Sequence, residues 1–327
     1  MEPMVDQRLE DLKRRQQADP DNTQLQFELL NARARIEGAA VYLELLEDRL
    51  KWNACHESVQ DMAISFVGKE KLGSLYKHVE TKKYSCGGQS HRIASFKHLG
   101  TGILLNLIPG GTYVMGDDKG DYEDQRPAHK ATIKPMLIGR FPVTQDEWQK
   151  IGGKNPSDFK GAGKPVEQVS WDDAQSWLKK AGDGLRLPSE SEWEYACRSG
   201  TQTQYFWAVP HRRTDGSGDK INGDYCWYGE NSGDATHPVT AHANKTNAFG
   251  LVDMSGHVWE WCEDAWEGDY KNGPYDSQPR TINSSNRVRR GGSWGHDAGY
   301  CRSASRNYLA PSNRFDGIGF RVSRTCS

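Results

Sequence analysis

The distribution of tryptophan and glycine divides this chain of 327 residues into two unlike parts. All but the first of the 11 tryptophans, and most of the 34 glycines, lie after residue 100. Large aromatic side chains anchor long loops, and glycine permits tight turns and close backbone contacts. The later part of the chain therefore predicts an irregular, loop-rich fold with buried aromatic anchors, and not a bundle of helices.

The N-terminal segment, residues 1–90, predicts helices. Apolar residues recur at spacings of three and four over residues 25–50, which is the period of a helix. Two interpretations remain open for these helices. They either cap their own domain, or they form an arm that joins copies of the chain into an oligomer.

The pattern changes after "CGGQSHR" (residues 86–92). The stretches "ILLNLIPGGTYVMG" and "HKATIKPMLIGRFPVT" alternate in the manner of strands. Two later stretches predict helices with serine N-caps, Ser170 and Ser189, and Glu192 is placed to complete a capping box with Ser189. The predicted fold class is α+β, with long ordered loops of the kind that carry function.

Charge and cysteine content restrict the partners and the compartment. Lys and Arg total 42 against 44 Asp and Glu, so neither nucleic acid nor an anionic membrane is expected as a partner. No apolar run reaches the roughly 18 residues that span a bilayer. The 7 cysteines include no CxxC pair, which predicts reduced thiols without a disulfide framework or a zinc site. Since no secretory signal is recognised, we expect a cytoplasmic protein, with a phage particle or a cell surface left open.

A series of motifs in the second part appears in the same order as in a known family. They are "LIPGGTYVMG", "EDQRPAH", "FPVTQDEW", "KPVEQVSWDDAQSW", "RLPSESEWEYACRSG", "CWYGENSGDATHPV", "NAFGLVDMSGHVWEWCEDAW" and "RVRRGGSW…CRSASRN…IGFRV". With these motifs, residues 91–327 resemble the formylglycine-generating enzyme (sulfatase-modifying factor) family. The resemblance implies a C-type lectin-like domain after the helical segment.

Most motif residues have a structural interpretation. Trp193, Trp259, Trp261 and Trp294 are expected to anchor loops in the core. The charged residues among them are expected to pair with one another or to satisfy buried backbone groups. Those charged residues are Arg186, Glu192, Glu194, Asp253 and Arg321.

The resemblance also allows a test for oxidase chemistry. Oxidase members of the family hold copper with two cysteines that lie five residues apart in the loop after Gly-Gly-Ser-aromatic. In this sequence the pair falls on Ala298 and Ser303, with Cys301 alone between them. One thiol cannot form the two-thiolate site that Cu(I) favours. We therefore predict that the chain is not an enzyme, with a formylglycine-generating enzyme of altered active site as the alternative.

No cofactor is predicted, and calcium is left open. Family members that bind calcium carry Asn in the segment that reads "SGHVWEW" here, where His257 takes its place and Glu260 remains. Calcium prefers oxygen ligands, for which an imidazole is a poor substitute.

The C-terminal segment, residues 291–322, resembles the variable region of proteins from diversity-generating retroelements, a non-enzymatic subset with this fold. Mutated template adenines in that group turn Asn codons into codons for many residues, but never for Trp, Met, Lys, Glu or Gln. Residues 295–317 contain none of those five types. The predicted variable, ligand-binding positions are Gly295, His296, Asp297, Gly299, Tyr300, Ser305, Tyr308, Leu309, Ala310, Ser312, Phe315, Asp316 and Gly317.

The residues between these positions are expected to hold the backbone. They are Trp294, Cys301, Arg302, Arg306, Pro311, Arg314, Ile318, Gly319 and Phe320. The predicted positions mix Tyr, Phe and His with Ser, Asp and Gly, and antibody loops use such a composition for binding. The sequence therefore predicts a non-catalytic protein that binds an unidentified protein ligand through a diversified C-terminal surface. The alternative is that these positions are ordinary exposed loop residues in a family member that has lost the family's function.

Overall fold

Helices fill the N-terminal part of the computed structural model, which describes residues 2–20, 22–38, 40–120, 122–207, 223–273 and 276–326. The helices are α1 (Glu2–Ala18), α2 (Thr23–Ile36), α3 (Val41–Leu46), α4 (Arg49–Ala54), α5 (Glu57–Phe66), α6 (Gln145–Lys150), α7 (Trp171–Ala181) and α8 (Glu190–Arg198). A π-helical stretch, Val67–Leu72, extends α5. Among the described residues, no helix is both long enough and apolar enough to cross a membrane.

The strands of the described residues form three sheets. The strands are β1 (Tyr76–Cys86), β2 (Gln89–His98), β3 (Leu104–Ile108), β4 (Gly111–Met115), β5 (His129–Ile133), β6 (Met136–Gly139), β7 (Trp259–Ala265), β8 (Arg287–Arg290), β9 (Arg306–Leu309), β10 (Ile318–Gly319) and β11 (Ser323–Thr325). The sheets have the orders β1-β2-β3-β6-β11, β10-β7-β8-β9 and β4-β5. Long irregular connections join them, so the predicted α+β, loop-rich class is confirmed.

The prediction of helices throughout residues 1–90 is wrong for the last part of that segment. Residues 76–86 form β1, which pairs along its length with β2 beyond the expected division at residue 90. The alternation of β1 was obscured because this edge strand exposes most of its side chains. The N-terminal helices also share the core of the later part, where Trp52 and Ile64 lie in one cluster with Trp259 and Phe320. Helices α3–α5 therefore pack on the core of the later part, which favours the interpretation that they cap their own domain.

The N-caps Ser170 and Ser189 and the capping box of Ser189 with Glu192 are confirmed, and Ser170 forms a second capping box that was not predicted. The Ser170 hydroxyl accepts from the Asp173 amide, and the Asp173 carboxylate accepts from the Ser170 amide. Ser189 and Glu192 make the same reciprocal bonds at the start of α8. Every residue of α8 is buried, which places its charged side chains inside the protein, where they need partners.

Candidate ligand-binding site

A double glycine turns the chain out of β8 into the predicted variable segment. Gly291 and Gly292 have φ angles of 100° and 79°, which favour glycine. A Cβ on Gly292 would lie 2.9 Å from the Cys301 Sγ and 3.0 Å from the Tyr300 backbone. The turn thus requires glycine, because the returning segment passes directly over it.

Buried ion pairs hold the segment and the strands at its sides to α8. Arg306 of β9 pairs with Glu190 at 2.6 Å, and Arg290 of β8 pairs with Glu194. Arg290 also donates to the backbone carbonyl of Ser305. These charges are almost fully buried, so each needs its partner, and removal of either member of a pair is costly.

Further bonds close the segment on itself and on the sheet. The Trp294 indole donates to the Asp316 carbonyl at 3.1 Å, and the Trp259 amide donates to the Gly317 carbonyl at 2.8 Å. Arg314 is exposed, but its guanidinium bonds both carboxylate oxygens of Asp173, at 2.7 and 2.8 Å. The backbone path is therefore set by residues at the predicted framing positions.

The predicted variable positions differ in their access to solvent. Exposed positions are Gly295, Asp297, Tyr308, Ser312 and Phe315, and half-buried ones are His296, Gly299, Tyr300, Leu309, Ala310 and Asp316. Ser305 and Gly317 are buried. The prediction of a binding surface is therefore wrong at these two positions, because the backbone is held inside the protein there by bonds from Arg290 and from the Trp259 amide.

Several of these residues meet around one cavity of about 380 Å³. Its walls include His296, Leu309, Phe315 and Asp316 from the predicted set. Trp259 and Arg289 of the sheet also line it. A cavity of this size, with aromatic walls and few polar groups, is typical of a binding site.

Tyr308 does not join this cavity. Because side chains alternate along β9, Tyr308 lies on the opposite face of the sheet from Leu309. Its ring packs on Trp266 with a centroid distance of 4.6 Å. Tyr300 lies nearer the cavity, since its ring contacts His296 with a centroid distance of 5.2 Å. The structure thus brings six of the thirteen predicted positions to the lining of this cavity, with Tyr300 beside it, and separates Tyr308 from them.

The electrostatics of the cavity favour a neutral His296 beside a cationic Arg289. Burial lowers the pKa of His296, and the nearby Arg289 charge lowers it further. The ring nitrogen Nδ1 lies 2.6 Å from the Ser293 hydroxyl. The imidazole is therefore held by the turn and presents a neutral polar edge at neutral pH.

Residues 104–326 match the sulfatase-modifying factor enzyme 1-like domain, which is most of the chain. The chain belongs to this family. The formylglycine-generating enzyme of Thermomonospora curvata is 34% identical over 284 residues, covering 65% of this chain and 91% of that enzyme. The inactive Cα-formylglycine-generating enzyme 2 of Bos taurus is 28% identical over 287 residues, covering 68% of this chain and 89% of that protein. Family relatives thus include both active and inactive proteins.

A solved structure with the same fold is variable protein 1 of Treponema denticola. It superposes with a TM-score of 0.59 at 27% identity, covering 76% of this chain and 99% of that protein. The expected resemblance to both the sulfatase-modifying factor family and variable proteins with a C-type lectin-like fold is confirmed.

The two positions assigned to the family's copper cysteines have other surroundings here. Ser303 is buried, and its hydroxyl accepts from the Cys197 thiol at 3.7 Å. The Ala298 carbonyl accepts from the Tyr205 hydroxyl at 2.8 Å. Cys301 instead packs with Cys226 in a small buried cluster. The pKa of Cys226 is raised by burial and also by Cys301, which favours the thiol over the thiolate that copper requires.

The residues expected to bear on calcium do not fit the ion. His257 is fully buried, and its Nδ1 lies 2.8 Å from Asp253. Its Nε2 accepts from the His237 amide at 3.0 Å. Both Glu260 oxygens are taken, one by Arg321 at 2.8 Å and the other by Arg321 and the Trp193 indole. Among the described residues, no group of three or more His, Cys, Asp or Glu side chains is suited to a metal.

Sequence reasoning missed the role of Arg289 at this site. In "RVRRGGSW", three arginines of β8 are indistinguishable by composition. Strand alternation places Arg287 and Arg289 on one face, and Val288 and Arg290 on the other. That alternation was the available signal, but it does not reveal which face carries the carboxylates.

Proposed function

We propose that this chain is a non-catalytic binding protein whose residues 295–317 present exchangeable contacts to a protein ligand, as in variable proteins of diversity-generating retroelements. The observation that carries the proposal is that some residues of the segment hold its backbone while others are exposed. Its backbone is fixed by buried partners such as Glu190 and Arg306, while Asp297, Ser312 and Phe315 are exposed. Such side chains can be exchanged without loss of a core contact.

The proposal extends to the ligand, to the absence of a cofactor and to the cellular compartment. Rigid aromatic residues beside small polar ones suit a protein surface as ligand. We propose that no metal or cofactor takes part, because the candidate donors already bond to protein groups. All seven cysteines are unpaired, which suits action in a reducing cytoplasm. The similarity to the Treponema denticola variable protein supports the proposal.

The DNA around the gene provides the deciding experiment. Sequencing of the flanking region is expected to find a reverse transcriptase gene and a near-copy of the segment. The copy should carry adenines at the codons of the exposed and half-buried positions, such as His296 and Phe315. Codons of buried anchors such as Arg306 should be identical in both copies. A single, invariant segment in many isolates, with no template, would contradict the proposal.

A second candidate, an oxidase of the formylglycine-generating type, has one observation in its favour. Cys301 lies in the same buried cluster as Cys226, so two thiols do meet near the segment. The assay is copper-dependent oxygen consumption with a cysteine-containing sulfatase peptide. Turnover that disappears with Cys301→Ser would establish this candidate, and absence of turnover would remove it.

A further inference from the structure

Arg289 is a charged side chain that lines this cavity and has no acidic partner among the described residues. Its guanidinium lies over the Trp259 ring, 4.8 Å from the ring centroid. It makes one hydrogen bond, of 3.3 Å, to the side chain of Asn307, and its Nε is buried without a bond. The adjacent Arg290, by contrast, pairs with both Glu190 and Glu194. The two neighbouring arginines thus have opposite electrostatic surroundings.

An unpaired cation in such surroundings is unfavourable. Burial lowers the pKa of Arg289 to about 10, and the opposing effect comes from Tyr300 and not from a carboxylate. Asp316 lines the same cavity, but its charge acts on Glu167, whose pKa it helps to raise, and it forms no described ion pair with Arg289. An incoming anion would restore the missing charge pair at the accessible part of the guanidinium.

The rest of the cavity determines what kind of anion fits. Trp259, Leu309 and Phe315 provide apolar surface, and the cavity volume of about 380 Å³ exceeds that of a simple ion. A guanidinium fork matches the two oxygens of a carboxylate. The walls suit an apolar group attached to that carboxylate.

We propose that Arg289 forms a carboxylate subsite, in which the cavity takes a carboxylate group flanked by an apolar or aromatic group. This subsite rests on the proposed function, because the carboxylate would belong to the protein ligand. It would be either an acidic side chain or the C-terminus of that ligand. The anchor then lies in the framework strand β8, while the exchangeable side chains around it select among ligands.

The test compares benzoate with its neutral analogue benzamide, by ligand-observed NMR and by quenching of tryptophan fluorescence. The full-length chain is expected to bind benzoate saturably, in the millimolar range and about tenfold more tightly than benzamide. Arg289→Met should remove the preference, and Arg289→Lys should retain part of it. N-acetyl-phenylalanine and the amide of N-acetyl-aspartyl-phenylalanine then distinguish a terminal carboxylate from an acidic side chain.

Arg287→Met is the matched control. Arg287 lies two residues earlier on the same face of β8, but its guanidinium stacks on Trp171 at 4.3 Å and donates to the Glu263 carbonyl. Its removal should leave benzoate binding unchanged. Thermal unfolding verifies that each variant is folded. The comparison of benzoate with benzamide in the unaltered protein does not depend on any variant.

Equal binding of benzoate and benzamide would overturn the subsite, as would a preference that persists in Arg289→Met or that also disappears in Arg287→Met. This outcome is distinct from failure of the proposed function. A genomic template found without benzoate binding removes only the carboxylate subsite. Arg289-dependent benzoate binding without a template removes the retroelement interpretation and leaves an anion site.

Discussion

Arg306 donates hydrogen bonds of 2.6 and 2.9 Å to the two carboxylate oxygens of Glu190, which lies 116 residues earlier in the chain. Both side chains are buried, and the guanidinium also packs on Tyr270 at 4.1 Å from the ring centroid. This pair joins the strand that borders the candidate site to the buried helix α8. It is one of the contacts that give the segment one backbone path while its outward side chains remain exchangeable.

Loss of Glu190 should strongly destabilise the protein. In Glu190→Ala the Arg306 charge stays buried without its partner, so we expect the free energy of unfolding to fall by about 3–5 kcal/mol. Urea denaturation measures the change. Arg314→Ala, which breaks an exposed ion pair with Asp173, is the control and should lower it by less than about 1 kcal/mol. Similar losses in both variants would show that the buried pair has no special role.

Exposed and buried positions of the segment should tolerate exchange differently. Asp297→Tyr and Ser312→Tyr are expected to change the free energy of unfolding by no more than about 0.5 kcal/mol, because both residues face solvent. Ser305→Leu should lower it by about 1–3 kcal/mol, since the added atoms enter a filled interior. Denaturant titration of the three variants provides the comparison. A large loss at Asp297 or Ser312 would contradict an exchangeable surface.

Glu167 should make stability fall as pH rises towards neutrality. Burial raises the pKa of Glu167 from 4.5 to about 7, despite hydrogen bonds from two backbone amides. Between these values the folded state keeps a proton that the unfolded state releases, so its contribution to stability declines from about pH 4.5 to about pH 7. The free energy of unfolding of Glu167→Gln, measured over the same interval, should decline less steeply. Identical slopes would refute the assignment.

Calcium should have no effect on thermal stability. His257 and Glu260 are already bonded to protein groups, so an added ion has no open oxygen donors at this place. We expect the same Tm with millimolar calcium chloride and with EDTA, as followed by differential scanning fluorimetry. A Tm that rises with calcium concentration would indicate preferential binding to the folded state and would contradict this expectation.

The N-terminal helices should be essential to the core. Trp52 of α4 is 1% exposed and donates its indole N–H to the Arg92 carbonyl of β2. Trp52→Ala is therefore expected to lower the free energy of unfolding by about 3–5 kcal/mol. Leu50→Ala, on the exposed side of the same helix at 68% exposure, should have little effect. A small effect at Trp52 would restore the interpretation of a separate arm.

The sequence by itself determined what depends on neighbours along the chain. The capping boxes at Ser170 and Ser189 link residues three apart, so they could be predicted from local spacing. The ordered motifs with their glycines and tryptophans were sufficient for the family and the α+β class. The sequence also located the segment that turns out at Gly291 and Gly292.

Only the tertiary structure decided which side chains of that segment meet. Ser305 is buried where Arg290 binds its backbone carbonyl, and Tyr308 is separated from Leu309 because strand register and alternation, not composition, assign each strand residue to a face. Arg289 and Arg290 are adjacent and chemically identical, but Arg290 lies opposite the glutamates of α8, whereas Arg289 faces a cavity. Charge pairing between distant elements depends on distances that a sequence does not contain, so the cavity could be recognised only in the folded protein.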